Sequence, residues 1–160
     1  MRELAERVGR ALDAAGATLV TAESCTGGWL AQAVTSVSGS SAWFERGFVT
    51  YSNAAKEELL GVQRATLESH GAVSEETARE MALGALRRSR GTLAVAITGV
   101  AGPSGGTVAK PVGLVCFAWA TRSETRIESR RFAGDREDVR RQSVVRALQG
   151  VLEFLEAAPV

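Results

Sequence analysis

Leu19-Val20-Thr21-Ala22-Glu23-Ser24-Cys25-Thr26-Gly27-Gly28 decides the reading of this 160-residue chain, because an apolar strand pattern stops inside it and a helical one resumes after it. Ala17 to Ala22 fit a short buried strand, while Leu30, Ala33, Val34 and Val37 give Thr26 to Val37 the spacing of a helix. The joint sets a hydroxyl and a thiol side by side at a helix mouth. Amides there lack intrahelical partners, so an oxyanion, a phosphate or an activated nucleophile is stabilised.

Outward from the joint, Leu4, Val8, Ala11, Leu12 and Ala15 mark one face of a first helix, stopped by Gly16. Beyond it, Gly39-Ser40-Ser41 reads as a loop and Trp43 to Tyr51 as a strand. Asn53 caps a short helix closed by Gly61, Leu67 to Val73 reads as a connector, and Ser74-Glu75-Glu76 opens a helix that ends at Gly91. Thr92 to Val100 form another strand, running into the glycine-rich segment Gly99 to Gly106. Val112 to Thr121 and Glu124 to Phe132 read as a hairpin, and Asp135 caps a last helix whose Val144, Leu148, Val151, Leu152 and Leu155 face the core. This order predicts one domain over residues 1–160, a three-layer α/β/α sandwich on a mixed sheet. Ligands gather beyond the carboxyl ends of strands in such sheets. Ser24, Tyr51 and the glycine-rich loop meet there if their strands run parallel.

Composition narrows the function. A formal charge of +1 leaves no broad basic field for nucleic acid, and no stretch is long and apolar enough to span a bilayer. Cys25 and Cys116 supply neither a disulfide framework nor a zinc site, and Met1 to Ala15 lack the apolar block of a signal peptide, so a cytoplasmic setting is expected. Of 19 basic residues only Lys56 and Lys110 are lysines, and a lysine amine, unlike a guanidinium, can be made neutral and act as a base.

Several residues carry two readings each. Ser24 is either a nucleophile beside oxyanion-binding amides or a helix cap; Glu23 binds substrate, orients a neighbour or complements the helix dipole. Cys25 is a rival nucleophile, but its base would have to be His70, the only histidine, which also leaves a histidine-based metal centre hard to build. Lys56, five residues after Tyr51, is either the base facing Ser24 or a solvated helix lysine. Gly99 to Gly106 match neither the Walker A nor the dinucleotide glycine spacing, and read as a phosphate- or ribose-binding loop or as a tight connector. Arg136 and Arg140 clamp a phosphate or lie on a solvated face.

Together these segments resemble the CinA carboxy-terminal-domain family. The resemblance is carried by Thr21 to Gly28, Gly39 to Phe44, Tyr51-Ser52-Asn53 with Lys56, His70 to Ser74, Thr98 to Pro103 with Gly105-Gly106, and Lys110 to Gly113. It implies hydrolysis of the carboxamide of nicotinamide mononucleotide in pyridine-nucleotide salvage, with Ser24, Tyr51 and Lys56 as the catalytic set. Amides of Thr26, Gly27 and Gly28 would receive the oxyanion. Glu23, Thr98, Gly99, Ala101, Gly102, Gly105, Gly106 and Arg140 would bind substrate. No metal or organic cofactor is required, and a homodimer is compatible with the chain. The alternative is a non-catalytic sensor that binds a nucleotide in the same cleft.

Overall fold

A computed structural model describes residues 1–157. Six helices and five strands follow in the order α1 (Arg2–Ala15), β1 (Leu19–Glu23), α2 (Trp29–Thr35), β2 (Phe44–Val49), α3 (Asn53–Leu60), α4 (Arg64–His70), α5 (Glu75–Arg87), β3 (Leu93–Gly99), β4 (Leu114–Ala120), β5 (Thr125–Arg131) and α6 (Arg136–Ala157). The sheet order is β2-β1-β3-β4-β5; β2, β1 and β3 are parallel, and β4 and β5 form the antiparallel hairpin. The expected mixed-sheet α/β sandwich is therefore the observed fold.

Alternation along the central strands builds two unlike cores. Leu93, Val95 and Ile97 of β3 and Val115, Phe117 and Trp119 of β4 face α1, α2 and α6. Ala94, Ala96, Ala118 and Ala120 face the other layer, where Ala78, Met81, Ala82 and Ala85 of α5 pack on them. Small residues on both sides let α5 lie close to the sheet, whereas the other face is filled by large side chains. Trp119 packs directly on the α6 backbone and donates its Nε1–H to the Ala147 carbonyl at 3.0 Å. A Cβ at Gly150 would lie 2.1 Å from its ring, so glycine is required there.

Several expectations shift: Ser52, not Asn53, caps α3, and α5 ends at Arg87, short of Gly91. The second helix begins at Trp29 rather than Thr26, because Gly27 and Gly28 adopt φ of 59° and 98°, outside the right-handed helical region. The stretch read as a connector begins inside α4 and takes in its last four residues; this short helix, missed in the sequence, has no side-chain cap and one buried residue, Leu67. So few turns give no readable period. The last helix starts as expected, with Asp135 Oδ1 accepting from the Asp138 amide at 2.9 Å and Asp138 Oδ2 accepting from the Asp135 amide at 3.1 Å.

The topology places the site. β1 lies between β2 and β3, and its crossover to β2 runs through α2 on one face while the return to β3 runs through α3, α4 and α5 on the other. Crossovers diverging to opposite faces open a crevice beyond the carboxyl end of β1. That end is Glu23-Ser24.

Candidate active site

Glu23 and Ser24 leave the end of β1 toward opposite layers. Leu19 faces the α1/α2/α6 core and Val20 and Ala22 face the α3–α5 core, so strand parity sends Glu23 toward α2 and Ser24 toward α3. The Ser24 amide donates to the Ile97 carbonyl at 2.9 Å, extending the β1–β3 pairing by one residue and fixing the serine backbone. Its side chain is nearly buried.

Lys56 comes up from α3 to meet it. Ser52 caps this helix by accepting from the Ala55 amide at 3.0 Å, which places Lys56 on the buried face in the second turn. Its Nζ lies 2.9 Å from Ser24 Oγ and 2.8 Å from the Thr50 carbonyl oxygen, to which it donates. The Thr50 amide in turn donates to the Glu23 carbonyl at 2.8 Å, so the strand that carries the serine also holds the acceptor that orients the amine. Lys56 is only 1% exposed, and among the described residues it has no carboxylate partner. Burial without a counter-charge pushes its amine down to about 8 from an ordinary 10.5. A neutral amine beside a hydroxyl is the arrangement that serine activation needs.

The neighbouring thiol is placed differently. Cys25 is packed in the α1/α2/α6 core, and burial pushes its thiol up to about 12. At neutral pH it stays protonated and poorly nucleophilic. His70 ends α4 as an exposed residue with its Nδ1 3.6 Å from a Glu76 carboxylate oxygen, and among the described residues it makes no hydrogen bond to Ser24 or Cys25.

Of the three readings open to Glu23, its contacts match the one in which it complements the helix dipole. Fully buried, it accepts from Thr26 Oγ1 at 2.6 Å, from the Leu30 amide at 2.8 Å and from the Ala31 amide at 3.1 Å. Its carboxylate thus caps α2, in place of the hydroxyl caps that the sequence offered. In the turn between, the Gly27 amide donates to the Ser24 carbonyl at 3.0 Å, which removes Gly27 from the expected oxyanion donors. The amides of Thr26 and Gly28 have no protein acceptor among the described residues; Thr26 is buried and Gly28 partly exposed.

Tyr51 and Arg136 belong to the rim. The Tyr51 side chain is exposed, and its hydroxyl accepts from Arg136 Nη2 at 2.9 Å, while Arg136 Nη1 donates to the Gly102 carbonyl at 2.8 Å. The structure therefore joins Lys56 to Ser24 and Tyr51 to Arg136. A cleft of about 870 Å³ opens beside Arg136, walled also by Trp29, Ala101, Pro103, Val112 and Arg140, with Asp135 and Glu137 on its α6 side. Of the expected substrate-binding residues, Ala101 and Arg140 line it. Thr98 instead donates its hydroxyl to the Ala72 carbonyl at 2.8 Å, Gly99 lies in the β3–β4 ladder, and Gly105 and Gly106 lie in the exposed outer part of their loop. Trp29 and the Thr50 carbonyl escape sequence reading; the first has only its place after Gly27-Gly28 as a signal, and the second, a backbone atom, has none.

The profile of the CinA C-terminal domain family matches residues 1–155. Nicotinamide-nucleotide amidohydrolase PncC of Escherichia coli K12 is 57% identical over 150 residues, covering 93% of this chain and 91% of that protein. The protein of the same name from Pseudomonas putida is 53% identical over 151 residues, covering 94% of each. A solved CinA superfamily protein from Klebsiella pneumoniae matches with a TM-score of 0.95 at 43% identity, over 98% of both chains. With sequence and fold matched over nearly its whole length, the chain belongs to the CinA C-terminal domain family.

Proposed function

We propose that this chain hydrolyses the carboxamide of nicotinamide mononucleotide, releasing ammonia and nicotinic acid mononucleotide, through an acyl-enzyme on Ser24. The observation that carries the chemistry is the 2.9 Å contact between Ser24 Oγ and the buried Lys56 amine. The substrate comes from the relatives, whose names describe a nicotinamide-nucleotide amidohydrolase at 52–57% identity. On this reading the chain acts in pyridine-nucleotide salvage, in the cytoplasm.

Neutral Lys56 takes the proton as Ser24 Oγ attacks the amide carbon, and the turn amides of Thr26 and Gly28 face the developing oxyanion. The ammonium so formed, still held by the Thr50 carbonyl, protonates the departing nitrogen. Ammonia leaves and the acyl group stays on Ser24. Water then attacks the ester, Lys56 takes its proton, and the proton returns to Ser24 as the acid departs. The proton passes directly between serine and lysine; Tyr51, bonded to Arg136, acts at the cleft rim instead of in the relay. Arg136, whose bonds go to two neutral oxygens, keeps its full charge for the substrate phosphate.

Ammonia release from nicotinamide mononucleotide by wild type, Ser24→Ala and Lys56→Ala tests the proposal. Turnover by wild type and loss in both variants is expected. A wild type that binds the nucleotide without releasing ammonia would instead be a sensor.

A further inference from the structure

Arg140 projects from α6 across the turn that carries Ser24, and its contacts are unusual for an arginine beside a nucleotide cleft. Nε donates to the Cys25 carbonyl and Nη2 to the Thr26 carbonyl, both at 3.1 Å, and the guanidinium lies 5.4 Å from the centre of the Trp29 ring. Among the described residues it makes no ion pair. Its charge therefore falls on two peptide groups.

Those peptides are the ones that matter for acyl transfer. A carbonyl and the following amide belong to one planar, conjugated unit, so a cation on the Cys25 oxygen draws electron density from the Thr26 N–H, and one on the Thr26 oxygen does the same to Gly27. The Gly27 amide is bonded to the Ser24 carbonyl, whereas the Thr26 amide has no protein acceptor among the described residues. One amide of the pair locks the turn, and the other, in the buried Thr26, is polarised with its hydrogen unspent. Gly27 sits where the chain crosses Arg140, with space for a Cβ only 3.6 Å from Nη2 and a φ of 59°.

We propose that Arg140 is a positioning residue for the oxyanion-binding turn: it orients and polarises the Thr26 amide through the Cys25 carbonyl, and acts on the transition state more than on substrate binding. This rests on the serine acyl-transfer reading above. It also moves Arg140 away from the substrate-binding role expected from the sequence, leaving the phosphate to Arg136. Glu23 supplies the converse constraint, because its carboxylate holds the next turn from the α2 side. The turn is thus fixed between an anion on its helix amides and a cation on its carbonyls.

The test compares Arg140→Gln and Arg140→Lys with wild type by two measurements. The first is kcat and KM for ammonia release from nicotinamide mononucleotide. The second is the rate of Ser24 modification by an alkyl fluorophosphonate, in which the Oγ–P bond forms, the P–F bond breaks, fluoride leaves and Lys56 takes the serine proton. The phosphonyl oxygen needs the same amides as the substrate oxyanion, and the probe carries no phosphate-binding handle. Arg140→Gln is expected to lower kcat and the modification rate together by about 10- to 100-fold, with KM within about threefold. Arg140→Lys, able to serve one carbonyl with its charge intact, should fall between. If the glutamine variant does not fold, the lysine variant carries the test with about a tenfold loss in both rates. A rise in KM at unchanged kcat and unchanged modification would make Arg140 a phosphate ligand and overturn the proposal, as would wild-type rates in both variants. A wild type that is modified at Ser24 but releases no ammonia rejects the nucleotide substrate, and the modification rates alone then decide Arg140. A wild type that is not modified at all rejects the proposal with the acyl-transfer reading.

Discussion

Replacing Lys56 by methionine should stabilise the fold while abolishing turnover. Burial lowers the amine from an ordinary 10.5 to about 8, and at about 1.4 kcal/mol per pH unit this corresponds to about 3 kcal/mol of stability lost at neutral pH. The sign follows from proton counting. Below pH 8 the amine is charged in both folded and unfolded chains, so the folded state bears the whole cost of burying it. Between 8 and 10.5 the unfolded chain binds more protons, and stability rises with pH until the cost is gone. Methionine fills similar space without the charge but leaves the Thr50 carbonyl and Ser24 hydroxyl without their donor, which costs about 1–2 kcal/mol. The balance is a gain of about 1–2 kcal/mol at pH 7, or roughly 5 °C in Tm for a domain of this size. Near pH 10 only the lost hydrogen bonds remain, and the variant should be the less stable protein. Urea or thermal unfolding of both proteins from about pH 6 to pH 10 measures the difference, alongside ammonia release, expected to fall at least about 100-fold. A variant less stable than wild type at pH 7, by a margin independent of pH, would refute the account of an unpaired buried amine.

Other consequences are equally direct. Activity requires the free amine, so kcat/KM should rise with pH and level off above about 8, and a flat profile across that range would exclude Lys56 as the base. Cys25→Ala should keep kcat within about threefold, and iodoacetamide should leave the wild type active at neutral pH because burial keeps the thiol protonated. Glu23→Gln turns one acceptor into a donor facing an α2 amide, and urea unfolding should register a loss of about 1–3 kcal/mol. Tyr51→Phe removes the phenol that Arg136 holds; less than about a tenfold loss in kcat/KM is expected, and a much larger fall confined to kcat would return the phenol to the proton relay.

Sequence reading succeeds here where one residue reports one property. Apolar alternation in Leu93 to Ile97 is a strand pattern whatever surrounds it, and Asp135 opens α6 through a contact only three residues long. The scarcity of lysine marks Lys56 as a base candidate, and the fold brings it to Ser24 across 32 positions. What fails is partner choice. Glu23 carries three readings in the sequence, and only the parity of β1 selects the α2 cap among them. Tyr51 and Arg140 lie near the expected place, but their partners are a distant guanidinium and two backbone carbonyls. Carbonyl acceptors have no signature in side-chain identity. For the same reason the Thr50 oxygen that holds Lys56 is silent in the sequence.

The three charges around Ser24 obey one constraint. A carboxylate within reach of Lys56 would favour the ammonium and hold its proton where the mechanism needs a lone pair. Glu23, adjacent to the nucleophile in sequence, is the group best placed to do that damage. Strand parity prevents it, because residues 23 and 24 emerge on opposite faces, and the carboxylate is then fixed by Thr26 and two α2 amides. Arg140 is likewise committed to peptide groups, with no carboxylate partner among the described residues. Its bonds to the Cys25 and Thr26 carbonyls keep it on the turn, where its charge favours the anionic intermediate. Each charge is held by peptide dipoles in place of an opposite charge, so none of the three neutralises another. A salt bridge between any two would make the site more ordinary and the serine less reactive.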